Sequence, residues 1–246
     1  MPSYEHPRRL RNDLGKMPPI QLDPAASPVQ TFGQLIARTA DDLASLSFIA
    51  EWVGPGERVP VFDTASLRDF AADTDRRIFL AELLASYTHV ASGHVWSRTA
   101  RGWRKRRYSE LDPLSLTELI AALPEPQRRA ALRRLGDLAL FLAGVFPDHA
   151  ARHPIEPRNL ARIARAIEAS GGPVGAPPIA AGAFREGGVT VLEWLGRLCY
   201  RLAQPSGGAP DALSDVAARF VEARRFLNVL TDRYLFPLRE RWFPNS

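Results

Sequence analysis

Residues 96–110, WSRTARGWRKRRYSE, combine six basic side chains, two tryptophans and one acid. Guanidinium groups hold phosphate or carboxylate oxygens through paired hydrogen bonds, and indoles stack on unpaired bases or other aromatics. The segment has a net charge of +5, as does the whole chain; the remaining residues hold 26 basic against 26 acidic side chains. One short stretch therefore carries the entire charge excess, and long-range attraction to an anion should originate there. With Arg101-Gly102 as a two-residue turn, the segment reads as a β-hairpin at about 95–110, with Arg98 opposite Lys105 and Trp96 opposite Arg107. Alternation then places Trp96, Arg98, Trp103, Lys105 and Arg107 on one face, and Arg104 and Arg106 complete the basic run. The opposing reading packs the tryptophans on the body and leaves the arginines solvated or paired with acidic helix ends.

Asp137 is the second candidate for chemistry. It lies in Leu135-Gly136-Asp137-Leu138-Ala139-Leu140-Phe141-Leu142, where a carboxylate is costly to bury without a partner. Arg133 and Arg134, one turn before it, are the expected partners, and Gly136 admits the close approach of a helix or a ligand. A structural pair is the expectation; a catalytic or ligand-holding carboxylate is the alternative. His149 and His153 stand four apart, a spacing that puts two imidazoles on one helix face, but Pro154 disfavours helix there and no third ligand stands at a diagnostic distance. His89 and His94 flank the end of an apolar helix and suit capping, or a general base, since imidazole titrates near neutrality. Cys199, the one cysteine, sits between Leu198 and Tyr200 and reads as a small core residue. Phosphate-binding loops, dinucleotide fingerprints, HExxH and GxSxG are all missing, so no cofactor and no metal is expected.

These residues sit in a chain of ordinary globular composition, 46% hydrophobic and 24% charged over 246 residues. Only Lys16 and Lys105 are lysines, against thirty arginines. That bias matches a GC-rich bacterial genome, which weakens arginine content alone as evidence for a nucleic-acid partner. No apolar run approaches the roughly 18 residues of a membrane span, the first residues lack the apolar region of a secretory signal, and one cysteine excludes an internal disulfide. A cytoplasmic protein with no membrane insertion is expected.

Helical periodicity dominates. Residues 1–28 are proline-rich and aperiodic and read as an extended arm, followed by a helical domain over 29–246. A capping box at Thr31-x-x-Gln34 opens a first helix whose stripe, Phe32 to Val53, ends at Gly54-Pro55-Gly56. Val59 to Phe62 is an extended link. Asp63 or Thr64 and then Asp73 or Thr74 cap two helices, the second central through Phe79, Leu80, Leu83 and Leu84. Beyond the hairpin, Asp112-Pro113 with Ser115-x-x-Glu118 and then Pro126 and Pro157 open further helices, and Pro147 closes one. Residues 171–188 read as a long loop, Thr190-x-x-Glu193 opens a helix, and residues 213–234 form a last long one. The fold expected is all-α: a single-domain bundle of about seven or eight helices around one core, with one inserted hairpin.

The runs Leu135–His149 and Phe79–Gly93 resemble stretches of uncharacterised helical proteins of actinobacteria, a likeness covering most of the chain beyond residue 40. It implies an all-helical fold and carries no activity, cofactor or catalytic residue. On the residues alone, the first functional reading is a binding or regulatory module that offers the basic aromatic hairpin to nucleic acid or an acidic protein surface. The second is a small-molecule enzyme with a pocket among the helices, using Asp137 with His89 or His149. The third is a structural subunit of a larger assembly, with Trp242 and Phe243 as contacts; self-association remains open.

Overall fold

The computed structural model describes residues 25–54, 57–90, 92–99, 102–125, 127–169, 183–204 and 211–237. Most of the proline-rich arm, the greater part of the 171–188 loop, and Trp242 and Phe243 lie outside them. The described elements run α1 (Pro28–Leu43), β1 (Ile49–Gly54), β2 (Glu57–Val61), α2 (Thr64–Ala72), α3 (Thr74–Ser86), β3 (Ser92–Thr99), β4 (Gly102–Ser109), α4 (Pro113–Ala122), α5 (Gln127–Val145), α6 (Pro147–Arg152), α7 (Pro157–Glu168), α8 (Ala183–Ala203), α9 (Ala212–Ala218) and α10 (Phe220–Leu230), followed by a π turn at Thr231–Leu235. The fold is a multi-helix bundle carrying two-stranded antiparallel hairpins, β1–β2 and β3–β4.

Short polar side chains set half of the described helix starts. Asp63 accepts the Ser66 amide at α2, Asp73 the Arg76 amide at α3, and Asp112 the amides of Leu114 and Ser115 at α4. Each satisfies a donor the first turn leaves free. α1 begins one turn earlier than its Thr31 box implies. Ser27 and Gln30 form the reciprocal cap ahead of Pro28, and Thr31 instead donates its hydroxyl to the Ser27 carbonyl.

Three expectations about extent are corrected. α1 stops at Leu43, where the Ser45 hydroxyl takes up the Asp42 carbonyl, and residues 49–54 pair with 57–61 as a hairpin. Leu46, Ala50 and Val53 fit the helical spacing, but Ile49, Trp52 and Val53 are strand-formers leading into a Gly-Pro-Gly turn, and that local preference prevails. α8 starts at Ala183, so Thr190 and Glu193 lie inside the helix and open nothing. The last helix divides at Arg219 (φ −108°, ψ 35°), whose guanidinium reaches Asp69 and the Ser66 carbonyl of α2.

α5 and α8 form the centre, crossing where Gly136 faces Tyr200. A Cβ on Gly136 would stand 2.5 Å from the Tyr200 ring, so glycine here is the condition for the two helices to approach. Leu35, Leu80, Ile120, Leu135, Leu195, Phe220 and Leu227 are among the side chains withdrawn from solvent in one continuous cluster. Among the described residues, no helix is long and apolar enough to cross a membrane.

Candidate functional site

The basic segment is a β-hairpin, with a register two residues away from the expected one. Thr99 faces Gly102, Arg98 faces Trp103, Trp96 faces Lys105 and His94 faces Arg107. Gly102, the first residue of β4, has φ +107°, a left-handed value suited to glycine. A shift of two preserves the side-chain alternation where a shift of one would invert it. Positions 96, 98, 103, 105 and 107 therefore still share a face, now joined by 94, while 104 and 106 belong to the other. Trp103 is 68% exposed, and His94 and Lys105 are also exposed. An indole left in water on a face with Lys105 is a stacking surface beside a cation.

One residue bridges the elements on either side of this hairpin. Arg134 on α5 donates to the Ser86 hydroxyl at 2.7 Å, at the end of α3, and to Glu110 at 3.0 Å, just after β4. Its guanidinium lies 4.0 Å from the Tyr87 ring centre. Arg134 is thus committed to positioning the hairpin and is not the ion-pair partner expected for Asp137.

Most other described arginines are also engaged. Arg58 grips Asp232 with two bonds, at 2.6 and 2.9 Å, while lying over the Trp52 ring, and so fastens β1–β2 to the C-terminal turn. Arg76 joins α3 to Asp215 of α9, and Arg233 and Tyr234 both bond Asp42 of α1. The deepest case escaped sequence reasoning. Arg224, 3% exposed, bonds Glu51 of β1, Glu193 of α8 and Asn228, whose amide in turn donates to the carbonyls of Ala143 and Gly144 at the end of α5. Burial works to raise the Glu51 carboxyl, but its bonds to Arg225 and Arg224 outweigh it and hold it below the ordinary carboxylate range.

Asp137 is part-buried, and its partner is the Tyr200 hydroxyl, which donates at 2.9 Å across the α5–α8 crossing. Burial raises the Asp137 carboxyl; the Tyr200 bond and the more distant charges of Arg133 and Arg134 only partly oppose it. The Tyr200 hydroxyl is pushed well up by burial and by the neighbouring carboxylate. The folded chain thus holds the Asp137 proton more tightly than the unfolded one. Its contribution to stability is fully present below the unfolded value of about 3.9 and declines as pH rises toward the folded one. Asp137→Asn keeps an acceptor for Tyr200 without the charge, so by urea denaturation it should be at least as stable as wild type at pH 7. That advantage should vanish in acid. Asp137→Ala leaves a buried hydroxyl unmatched and should cost about 1–3 kcal/mol. Equal losses in the two variants would show that the ionised carboxylate is what the crossing requires.

Among the described residues, no histidine bonds Asp137. His89 is exposed and, among the described residues, its ring is in hydrogen-bond distance of the Thr88 hydroxyl, at 3.0 Å. His149 lies in α6, a short helix begun by Pro147, and its ring stacks on that of His153 at 4.4 Å between centroids. Among the described residues, no group of three His, Cys, Asp or Glu side chains is placed to hold a metal ion. Cys199 is fully buried, and burial pushes its thiol far up, away from the nucleophilic thiolate. Comparison with known families, curated proteins and solved structures returns no match.

Proposed function

We propose that the chain is a cytoplasmic binding module whose β3–β4 hairpin engages an anionic partner, single-stranded nucleic acid in the first instance. The observation that carries the reading is the exposed Trp103 at the tip of a hairpin that holds the whole charge excess of the chain. Most described arginines of the body are occupied by carboxylates, carbonyls or rings, and the sequence gathers the unbalanced basic charge in the hairpin, where Lys105 is exposed beside Trp103. A duplex presents its phosphates but hides its bases; a single strand presents both, and an exposed indole gains from the second. An acidic protein surface would use the arginines and leave the indole without a base to stack on.

Fluorescence anisotropy with labelled oligonucleotides tests this. The wild type should bind a single strand more tightly than a duplex of the same length. Trp103→Ala should weaken single-strand binding by about 1–3 kcal/mol, roughly fivefold to 150-fold, and change duplex binding little. Capture of an acidic protein, with no oligonucleotide affinity at physiological salt, would move the assignment to the other partner class. Absence of both would retire the hairpin as a binding surface.

A further inference from the structure

A cavity of about 520 Å³ opens between α8 and α9, at a distance in sequence from the hairpin. Its α8 wall is formed by one face of that helix, with Glu193, Trp194, Arg197, Arg201 and Gln204 in succession, and Ala217 of α9 lies across from them. Spacings of three and four residues make these side chains neighbours along the helix.

The charges here do not pair as the spacing would have them. Glu193 precedes Arg197 by four residues, the favourable order for a helical ion pair. Glu193 is instead bonded to Arg224, which is buried behind it and short of counter-charge without it. Arg197 is left with no hydrogen bond, ion pair or ring contact among the described residues, and its Nε is shut away from solvent with nothing to receive its proton. The amide nitrogen of Gln204, seven residues on, is in the same condition. Arg201 lies between them, exposed, also without a carboxylate among the described residues. Buried donors are almost always matched in folded proteins, so two unmatched ones on residues that line one cavity mark a place where an acceptor is missing.

We infer that this cavity is a binding site for a small organic anion, its carboxylate or phosphate received by Arg197, Arg201 and Gln204 and its planar or apolar body resting on Trp194 and Ala217. The donors are all N–H groups, which selects an acceptor-only headgroup. The guanidinium fork suits two oxygens at once. The one carboxylate in the wall, Glu193, is already neutralised by Arg224 and does not repel the ligand's charge. The volume lies within the range of small-molecule pockets, well above what a single ion needs.

Phenyl phosphate, benzoate and the uncharged benzyl alcohol serve as probes of the intact protein, read by isothermal titration and by thermal melting. At least one of the two anions should bind saturably and, at about a hundredfold above Kd, raise the melting temperature by roughly 5–10 °C, while benzyl alcohol does neither. Comparison of the two anions decides between phosphate and carboxylate. Arg197→Met should abolish the shift without lowering the melting temperature of the free protein, since it removes an unmatched donor. Arg201→Met, at an exposed position, should weaken binding at least threefold and serves if the first variant does not fold. A variant with Arg104, Lys105, Arg106 and Arg107 changed to Ala should bind the probes as wild type does, which keeps this site separate from the hairpin. No saturable binding of either anion, equal binding of the alcohol, or full binding by Arg201→Met would overturn the inference.

Discussion

Arg224→Ala should lower stability by about 3–5 kcal/mol, the scale for breaking a buried ion pair and stranding its partners. In a chain of this size that is a fall in melting temperature of roughly 10 °C or more. The effect is large because four elements meet at this guanidinium. Its loss leaves Glu193 without its basic partner among the described residues, removes one of the two arginines on Glu51, and frees Asn228, which secures the last carbonyls of α5. Arg224→Lys keeps the charge but cannot span three acceptors in different directions, so it should fall between the two. Arg224→Met combined with Glu51→Met and Glu193→Met should recover much of the loss, because buried ion pairs can be replaced by packed apolar groups at little net cost. The pH profile offers a second reading. Glu51 is held below its ordinary range in the folded state, so its contribution is present above the unfolded value of about 4.3 and disappears as pH falls through the folded one. Arg224→Ala should flatten that part of the acid limb. A variant that melts with the wild type would mean that water, and not the protein, supplies the partners of these carboxylates.

Arg224 also shows where sequence reasoning ends. It stands between Phe220 and Leu227 on the buried stripe of α10, and Glu193 occupies an inward position on α8; a charge on an apolar stripe is a visible signal. Their pairing is not visible, since Glu51 lies 173 residues away. The same division applies throughout. Local chemistry was readable: Asp63, Asp73 and Asp112 cap the helices they precede, Pro157 opens α7, and the alternating face of the basic hairpin survives its two-residue shift in register. The β1–β2 hairpin was not, because Leu46, Ala50 and Val53 satisfy a helical period and its anchors, Asp232 and Arg224, come from the far end of the chain. The apolar run around Asp137 signals a carboxylate in need of a partner, but Tyr200, 63 residues on, reaches it only because α5 and α8 cross at Gly136. The cavity arose from the same cause. Arg197 lost its helical neighbour Glu193 to a residue on another helix, an exchange that no spacing rule describes.

Changing Arg104, Lys105, Arg106 and Arg107 together to Ala should remove nucleic-acid binding at ordinary salt. Each phosphate contact on a single strand contributes about 0.7 to the slope of log K against log salt, so four contacts account for a slope near 3. Extrapolated from 1 M, where the counterion contribution vanishes, to 50 mM salt, that slope corresponds to an affinity loss of roughly several thousandfold. The variant should also lose most of its remaining salt dependence, since the chain outside 96–110 is electrically neutral. The melting temperature should change little, because the substitutions lie in an inserted hairpin and leave the Arg134 bonds to Ser86 and Glu110 on either side of it untouched. Anisotropy titrations at four or five salt concentrations yield both the slope and the intercept. A loss of affinity with an unchanged slope would place the phosphates elsewhere and make the hairpin a stacking surface alone. An unchanged affinity and slope would refute the hairpin as the charged interface. If the acid-binding cavity between α8 and α9 nonetheless took its probes, the function would rest on that cavity, and the hairpin would be an internally paired appendage of the bundle.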